Sequence, residues 1–191
     1  MKQLQSISLA IAITLLLFSG ACKKDSAAGT TGTASGSYYM RFKAAGVQKE
    51  YLQNAGGNFN HAQTTVGYYS STIGGTKDPF DAKKDNMALA LVVKGLAQQN
   101  ITYTNFTTIA AGSQKAYISQ AGYYNEAGEF YTSWSEDFNA AIPAGTENNM
   151  KITITAVTST SLKGTFSGVL YNADYSKKIV ITDGDYLIKL Q

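Results

Sequence analysis

Four acidic residues in one short segment could perform hydrolytic chemistry. They are Glu126, Glu129, Glu136 and Asp137. Glycoside hydrolysis requires two carboxyl groups, one on each side of the glycosidic bond. The chain has only 13 acidic residues, and a sequence does not give the separation of side chains in space. The simpler interpretation is a solvated surface, so we predict a protein without enzymatic activity and keep a carboxylate-dependent hydrolase as an alternative.

Metal chemistry has little support in the sequence. Asp78, Asp81 and Asp85 form an acidic cluster of the kind that calcium prefers, but their spacing matches no EF-hand loop and neighbouring lysines would repel a cation. His61 is the only histidine, and no nearby residue forms a metal or nucleophile motif with it. We therefore predict no metal, no cofactor and no catalytic residue.

Cys22 is the only cysteine, and it directly follows a hydrophobic leader. Lys2 precedes an apolar segment, residues 7–18, and small residues come just before Cys22, as a signal peptidase requires. A helix of this segment would span about 18 Å, shorter than the hydrocarbon core of about 30 Å. A cleaved signal peptide is therefore favoured over a transmembrane helix. A lone cysteine also cannot form an intramolecular disulfide.

The run Leu17-Phe18-Ser19-Gly20-Ala21-Cys22 resembles the lipobox of bacterial lipoproteins, with Ser19 where that family usually has leucine. The resemblance implies that residues 1–21 are a signal peptide and that Cys22 is acylated. Multiple acyl chains attached through the Cys22 sulfur would make a stable membrane anchor, where a single chain would not. The alternative is ordinary secretory cleavage that leaves Cys22 as a free thiol.

The residues after Cys22 resemble the start of Bacteroidota-type lipoproteins. Lys23-Lys24-Asp25 partly matches the charged surface-export signal of that group, and Asp25-Ser26-Ala27 matches its O-glycosylation motif at Ser26. The resemblance implies a protein anchored in the outer membrane by lipid, with surface and periplasmic orientations both open.

Composition divides the rest of the chain into a tether and one domain. Residues 26–37 are all Ser, Ala, Gly or Thr, which predicts that 22–37 is a flexible tether with a reach of about 20 Å. Residues 38–191 have the length of one domain. Lys2 is the one charged side chain in residues 1–21, so their removal lowers the net charge from +3 to +2. Such a weak, dispersed charge argues against nucleic-acid binding.

Aromatic residues are the best functional lead in the domain. They crowd the segment 117–138, and the residues predicted to bind a ligand are Tyr123, Tyr124, Tyr131 and Trp134. Aromatic rings beside polar groups suit sugar stacking or a protein interface. The alternative is that these rings fill the core, since β-sandwiches need large aromatic residues there.

The elements that must position these residues are short strands. Thr and Tyr favour half-buried pleated surfaces, and Gly marks turns. Ala45-Gly46 predicts a hairpin, Gly74-Gly75 the end of a strand, and Asp183-Gly184-Asp185 a tight turn between the last two strands. The predicted strands are 38–44, 47–53, 64–73, 87–93, 101–108, 115–124, 129–136, 151–157, 162–171, 178–182 and 186–190. This pattern predicts an all-β protein, an antiparallel β-sandwich of about ten strands, with a lipocalin-like β-barrel as the alternative.

Two stretches near the end of the chain are similar to a group of small Bacteroidota lipoproteins of unknown function. They are Gly164-Thr165-Phe166-Ser167-Gly168 and Thr182-Asp183-Gly184-Asp185-Tyr186, and the stretch 40–46 is similar to the first hairpin of that group. The resemblance implies a β-sandwich and a surface lipoprotein, but no activity.

Three functions of different classes remain. The first is a binding module, in which a membrane-anchored domain presents loops or an aromatic face to a glycan or an envelope protein. The second is a structural or accessory subunit of an envelope assembly. The third is the carboxylate-dependent hydrolase considered above. The sparse acids and the single histidine favour the first two.

Overall fold

The computed structural model describes residues 38–52, 54–62, 67–104, 106–109, 114–133, 143–147 and 149–191. The predicted signal peptide, 1–21, and tether, 22–37, lie outside these residues, as do Cys22 and Ser26. The described part contains no helix that is long and apolar enough to cross a membrane.

The described residues form twelve strands. They are β1 (Tyr39–Ala44), β2 (Val47–Tyr51), β3 (Ala55–Ala62), β4 (Tyr68–Thr76), β5 (Asn86–Lys94), β6 (Ile101–Thr104), β7 (Phe106–Ile109), β8 (Gln114–Tyr124), β9 (Phe130–Thr132), β10 (Lys151–Val157), β11 (Ser161–Tyr171) and β12 (Lys178–Leu190). The prediction of an all-β, largely antiparallel fold is confirmed.

Hydrogen-bonded neighbours in the sheet follow the order β2-β1-β12-β3-β4-β5-β8-β9-β11-β10-β6. The remaining strand, β7, pairs with β8. A further pairing of β11 with β12 folds the sheet back on itself, and the pairing of β3 with β12 is parallel. This arrangement is consistent with the predicted β-sandwich. The lipocalin-like alternative is not supported, because an up-and-down barrel joins consecutive strands in order.

The hairpin predicted at Ala45-Gly46 is confirmed. Both residues have positive φ, 49° and 81°, and Ala44 pairs with Val47 across the turn. A two-residue turn with two positive φ angles matches the right-handed twist of the strands.

Alternating side chains of several strands fill the core. In β10, Ile152 and Ile154 are fully buried, as their alternation predicts. In β5 the buried residues are Met87, Leu89, Leu91 and Val93. Phe42 is fully buried, and its ring packs edge-on against Tyr51 and Tyr123, with ring centroids 5.6 Å apart in each pair.

Glycines and aromatic residues pair reciprocally between β11 and β12. Gly164 is opposite Tyr186, and Phe166 is opposite Gly184. A Cβ atom on Gly164 would lie 2.2 Å from the Tyr186 hydroxyl, and one on Gly184 would lie 2.7 Å from the Phe166 ring. Each ring therefore occupies the space that its glycine partner leaves empty, and this packing accounts for both stretches singled out in the sequence.

The predicted turn at Asp183-Gly184-Asp185 is wrong, because β12 continues through it. Gly168 pairs with Ile181 and Phe166 with Gly184, so β12 carries one residue more than β11 between these pairs. Asp183 has a φ of 51°, which aspartate tolerates better than most residues. The segment is thus a β-bulge, which bends a strand without ending it.

Two other predictions also need correction. The pair Gly74-Gly75 lies inside β4 rather than after it. The strand β3, Ala55–Ala62, has no counterpart among the predicted strands, because its glycines and asparagines resemble a turn.

Candidate functional site

A buried ion pair lies where β2 meets the start of β5. Lys49 and Asp85 are only 9% and 4% exposed, and the Lys49 Nζ lies 3.1 Å from the Asp85 Oδ1. Lys49 points inward because it lies on the same face of β2 as the buried Tyr51. Its ammonium also donates to the Glu126 Oε1 at 2.7 Å. The cation is therefore held between two carboxylates.

Tyrosine hydroxyl groups complete this cluster. The Tyr51 hydroxyl donates to the Asp85 Oδ1 at 3.2 Å, and burial raises the pKa of Tyr51 and of Tyr123. Burial disfavours the charged form of Lys49, but hydrogen bonds to Glu126 and Asp85 outweigh this effect and raise its pKa above the ordinary value. A nucleophilic lysine needs a lowered pKa. Lys49 is thus a structural cation.

The Lys49–Asp85 cluster ties two loops together. Asp85 ends the loop 77–85 with a φ of 46°, and its backbone N–H donates to the carbonyl of Asn125 in the loop 125–129 at 3.2 Å. Glu126 adds a contact from the second loop through its bond to Lys49. Both loops are therefore fixed to the body of the sheet.

The loop 77–85 carries the most exposed large apolar side chain of the described residues. Phe80 is 96% exposed. Its backbone N–H donates to the Asp78 Oδ1 at 2.8 Å, and the Lys83 N–H donates to the Asp81 Oδ1 at 3.1 Å. Asp78 and Asp81, which the sequence marked as calcium candidates, thus bind backbone of their own loop. Within the described residues, no group of three or more His, Cys, Asp or Glu side chains could hold a metal.

The predicted aromatic residues separate into core and surface. Tyr123 is 1% exposed and packs on Phe42. Tyr131 is 5% exposed, and its hydroxyl donates to the Glu129 Oε2 at 3.0 Å. Tyr124 is half-buried on the outer face. Trp134 lies outside the described residues.

An aromatic patch forms around Tyr124. Its ring lies against that of Phe130, with centroids 4.7 Å apart and a tilt of 37°. A second pair, Tyr171 and Tyr175, has its centroids 5.7 Å apart, and Tyr171 belongs to the strand that pairs with β9. Tyr171 is only 9% exposed and offers little surface to a ligand, whereas Tyr124, Phe130 and Tyr175 are half-buried. We call these three half-buried rings the aromatic patch.

Ion pairs brace the chain around the aromatic patch. The Lys177 Nζ lies 2.6 Å from the Glu129 Oε1 and so joins the loop 172–177 to the loop 125–129. The Lys178 Nζ lies 2.6 Å from the Glu147 Oε1, and the Glu147 N–H donates to the Tyr171 hydroxyl at 3.0 Å. The patch therefore rests on connected loops.

Two of the candidate hydrolytic acids, Glu126 and Glu129, are held in their ionised form by lysines. A hydrogen bond from Lys49 lowers the pKa of Glu126, and one from Lys177 lowers that of Glu129. A general acid in glycoside hydrolysis needs a raised pKa. Glu136 and Asp137 lie outside the described residues.

His61 is exposed on β3.

A second, shallow surface lies on the outer face of the sheet. Thr102, Thr153 and Thr165 stand in register on β6, β10 and β11, and the Thr102 and Thr153 hydroxyls are 2.8 Å apart. They line a cleft of about 490 Å³. The other lining residues are Lys151, Phe166, Ser167, Asp183 and Gly184. This cleft offers hydroxyl groups, one ammonium and one carboxylate.

Sequence reasoning missed the Lys49–Asp85 cluster. The signal was present in β2, where Lys49 and Tyr51 alternate with exposed residues and must share the face that the hairpin turns inward. A lysine on a buried face needs a carboxylate partner. In the sequence, Asp85 stands out only as one of three acids in a cluster of the kind that calcium prefers, with no indication that Lys49 is its partner.

Comparison with known proteins identifies no relative. No family model, no curated protein and no solved structure matches the chain. The resemblance to Bacteroidota-type lipoproteins therefore remains a prediction from the sequence.

Proposed function

We propose that this protein is a lipid-anchored lipoprotein of the bacterial outer membrane whose β-sandwich binds a glycan or an envelope protein. The run that ends at Cys22 supports the anchor, and the predicted tether 22–37 supports display of the domain. The observation that carries the binding function is the aromatic patch, since stacked rings at a loop-bearing surface suit sugar or protein recognition.

The bracing of the patch favours binding over a purely structural role. Rigid support lowers the entropy lost when a surface side chain becomes fixed on a ligand. The Lys177–Glu129 ion pair gives the loops beside the patch that support, and the Glu129 carboxylate also accepts from the Tyr131 hydroxyl. A ligand with an apolar face and polar edges, such as a sugar ring, fits this surface.

The anchor is tested by Cys22→Ala. We expect the variant to move from the membrane fraction to the soluble fraction, because no acyl chain can attach to alanine. Ser26→Ala is the matched control, since it changes the predicted glycosylation residue but keeps the thiol, and it should stay with the membranes. Membrane retention of Cys22→Ala would refute the anchor.

The binding face is tested with the mature chain made soluble by Cys22→Ala. On an array of cell-envelope polysaccharides, we expect a bound glycan and at least a tenfold loss of affinity in Phe130→Ala, about 1.4 kcal/mol. Tyr68→Ala, on the far end of β4, should bind normally.

Two outcomes of this experiment contradict the aromatic patch as the binding site, and a third replaces the glycan by a protein partner. An equal loss in Phe130→Ala and Tyr68→Ala would contradict the patch. A selective loss in Thr153→Val would move the site to the hydroxyl-lined cleft. If no glycan binds and cross-linking in intact cells captures a defined envelope protein, the accessory-subunit alternative replaces the glycan.

A further inference from the structure

A row of side chains crosses four strands on the outer face of the sheet, in line with the aromatic patch. It takes one residue from each of β4, β5, β8 and β9, and each is directly paired with the next: Thr76, Asn86, Tyr124 and Phe130. Directly paired residues of antiparallel strands project from the same face. All four are half-buried, whereas Met87, the next residue of β5, is fully buried. The row therefore places an amide and a hydroxyl group beside two rings of the patch.

The Asn86 amide is available to a ligand. Within the described part of the chain, no hydrogen bond uses this side chain. Asn125 is the contrast, because its side chain is used within its own loop. Its amide donates to the Glu129 Oε2 at 2.9 Å, and its oxygen accepts the N–H groups of Ala127 and Glu129, each at 2.9 Å. The amide of Asn125 therefore builds a loop, and that of Asn86 does not.

The backbone on both sides of Asn86 is already fixed. The Asp85 N–H donates to the Asn125 carbonyl at 3.2 Å, and the Lys77 N–H donates to the Asp85 carbonyl at 3.0 Å. On the other side, Met87 is packed in the core. A ligand that bonds the Asn86 amide would therefore immobilise one short side chain and little else, which keeps the entropy cost of binding low.

An amide beside aromatic rings matches the chemistry of an uncharged sugar. Its oxygen accepts and its NH₂ group donates, so it can bond two neighbouring hydroxyl groups, which can each do both. The rings offer a surface to the apolar face of a sugar. From Asn86 to Phe130 the row covers two strand spacings, about 10 Å. Both carboxylates of the loop 125–129 are held by lysines, Lys49 and Lys177, so these ion pairs do not favour an acidic ligand.

We propose that the aromatic patch takes an uncharged glycan and that Asn86 determines its specificity, by bonding two hydroxyl groups of a sugar that stacks on Tyr124 and Phe130. This inference rests on the proposed glycan-binding function, and it names the class of glycan and the group that selects it. Thr76 extends the row with an acceptor, since its hydroxyl donates to the Asp78 carbonyl at 2.9 Å and keeps its lone pairs.

The test measures binding of the mature chain made soluble by Cys22→Ala. The uncharged probes are mannan, dextran and soluble chitin fragments, and alginate is the acidic probe. We expect an uncharged probe to bind with an affinity that about 0.5 M salt leaves unchanged. Asn86→Ala should lower this affinity about tenfold, because sugar hydroxyl groups lose their partner. Its urea midpoint should not move, since the amide has no partner in the described fold.

Gln48→Ala is the matched control, because it removes an exposed amide from β2, which pairs with none of the four strands of the row. It should bind as the parent chain does, and a loss equal to that of Asn86→Ala would contradict the inference. Phe130→Ala separates the inference from the proposed function. If Phe130→Ala loses the probe and Asn86→Ala keeps it, the inference is overturned and the patch stands.

The choice of probes gives two further outcomes. If alginate alone binds and salt releases it, the ligand is acidic and the inference is wrong, although the chain still binds a glycan. If the parent chain binds no probe, the proposed glycan function and the inference fall together.

Discussion

Gly164→Ala is expected to unfold the domain or to cost at least about 3 kcal/mol of unfolding free energy. The added Cβ atom would lie 2.0 Å from the Thr153 carbonyl oxygen and 2.2 Å from the Tyr186 hydroxyl. The first of these atoms is backbone of the paired strand β10, which cannot move without losing its ladder. Urea denaturation of the soluble Cys22→Ala chain measures the change.

Gly74→Ala is the matched control, because it makes the same substitution inside β4. The nearest atoms to its Cβ would be the Met87 carbonyl oxygen at 3.7 Å and the Gly56 carbonyl oxygen at 3.9 Å, both ordinary contacts. We expect the free energy of unfolding to change by no more than about 1 kcal/mol. The change should be an increase, because alanine lowers the conformational entropy of the unfolded chain. Equal stabilities for the two variants would contradict the reciprocal packing of glycine and aromatic residues.

Asp85→Asn is expected to cost about 3 kcal/mol of unfolding free energy, since breaking a buried pair leaves a charge without its partner. Lys49 would remain buried with Glu126, whose side chain is 67% exposed, as its main carboxylate. Asparagine tolerates the positive φ of this position, so the substitution tests charge rather than backbone strain. Urea denaturation at neutral pH gives the value.

Two further variants separate the charge effect from other causes. Asp81→Asn, an exposed acid of the same loop, should change stability by no more than about 0.5 kcal/mol. Adding Lys49→Met to Asp85→Asn should recover part of the loss, because the unpaired cation is then gone. If Asp85→Asn costs no more than Asp81→Asn, the cluster does not hold the loops.

Strong local patterns predicted most of the strands. Ala45-Gly46 is a turn in both prediction and structure, and the alternation of Ile152 and Ile154 places both in the core. Where long-range packing overrides local preference, prediction failed. Gly184 resembles a turn residue in the sequence, but it lies inside β12 because the Phe166 ring fills its space.

The candidate site was less predictable than the fold. Tyr124 could be selected from composition, but its partner Phe130 depends on the register between β8 and β9. The pairing of Lys49 with Asp85 joins residues 36 positions apart, counted from their numbers, and no local pattern gives such a contact. An aromatic residue is in the core or on the surface according to the face of the strand from which it projects. The high number of aromatic residues in the segment 117–138 does not reveal that face.

The position of β1 has a mechanical consequence for a domain held by its N-terminus. β1 lies between β2 and β12 and pairs with both. A pull transmitted through residue 38 would act along the axis of β1 and load both ladders in shear, so their hydrogen bonds would resist together rather than open one at a time. The entry strand is thus suited to bear tension applied at the N-terminus of the domain without peeling away.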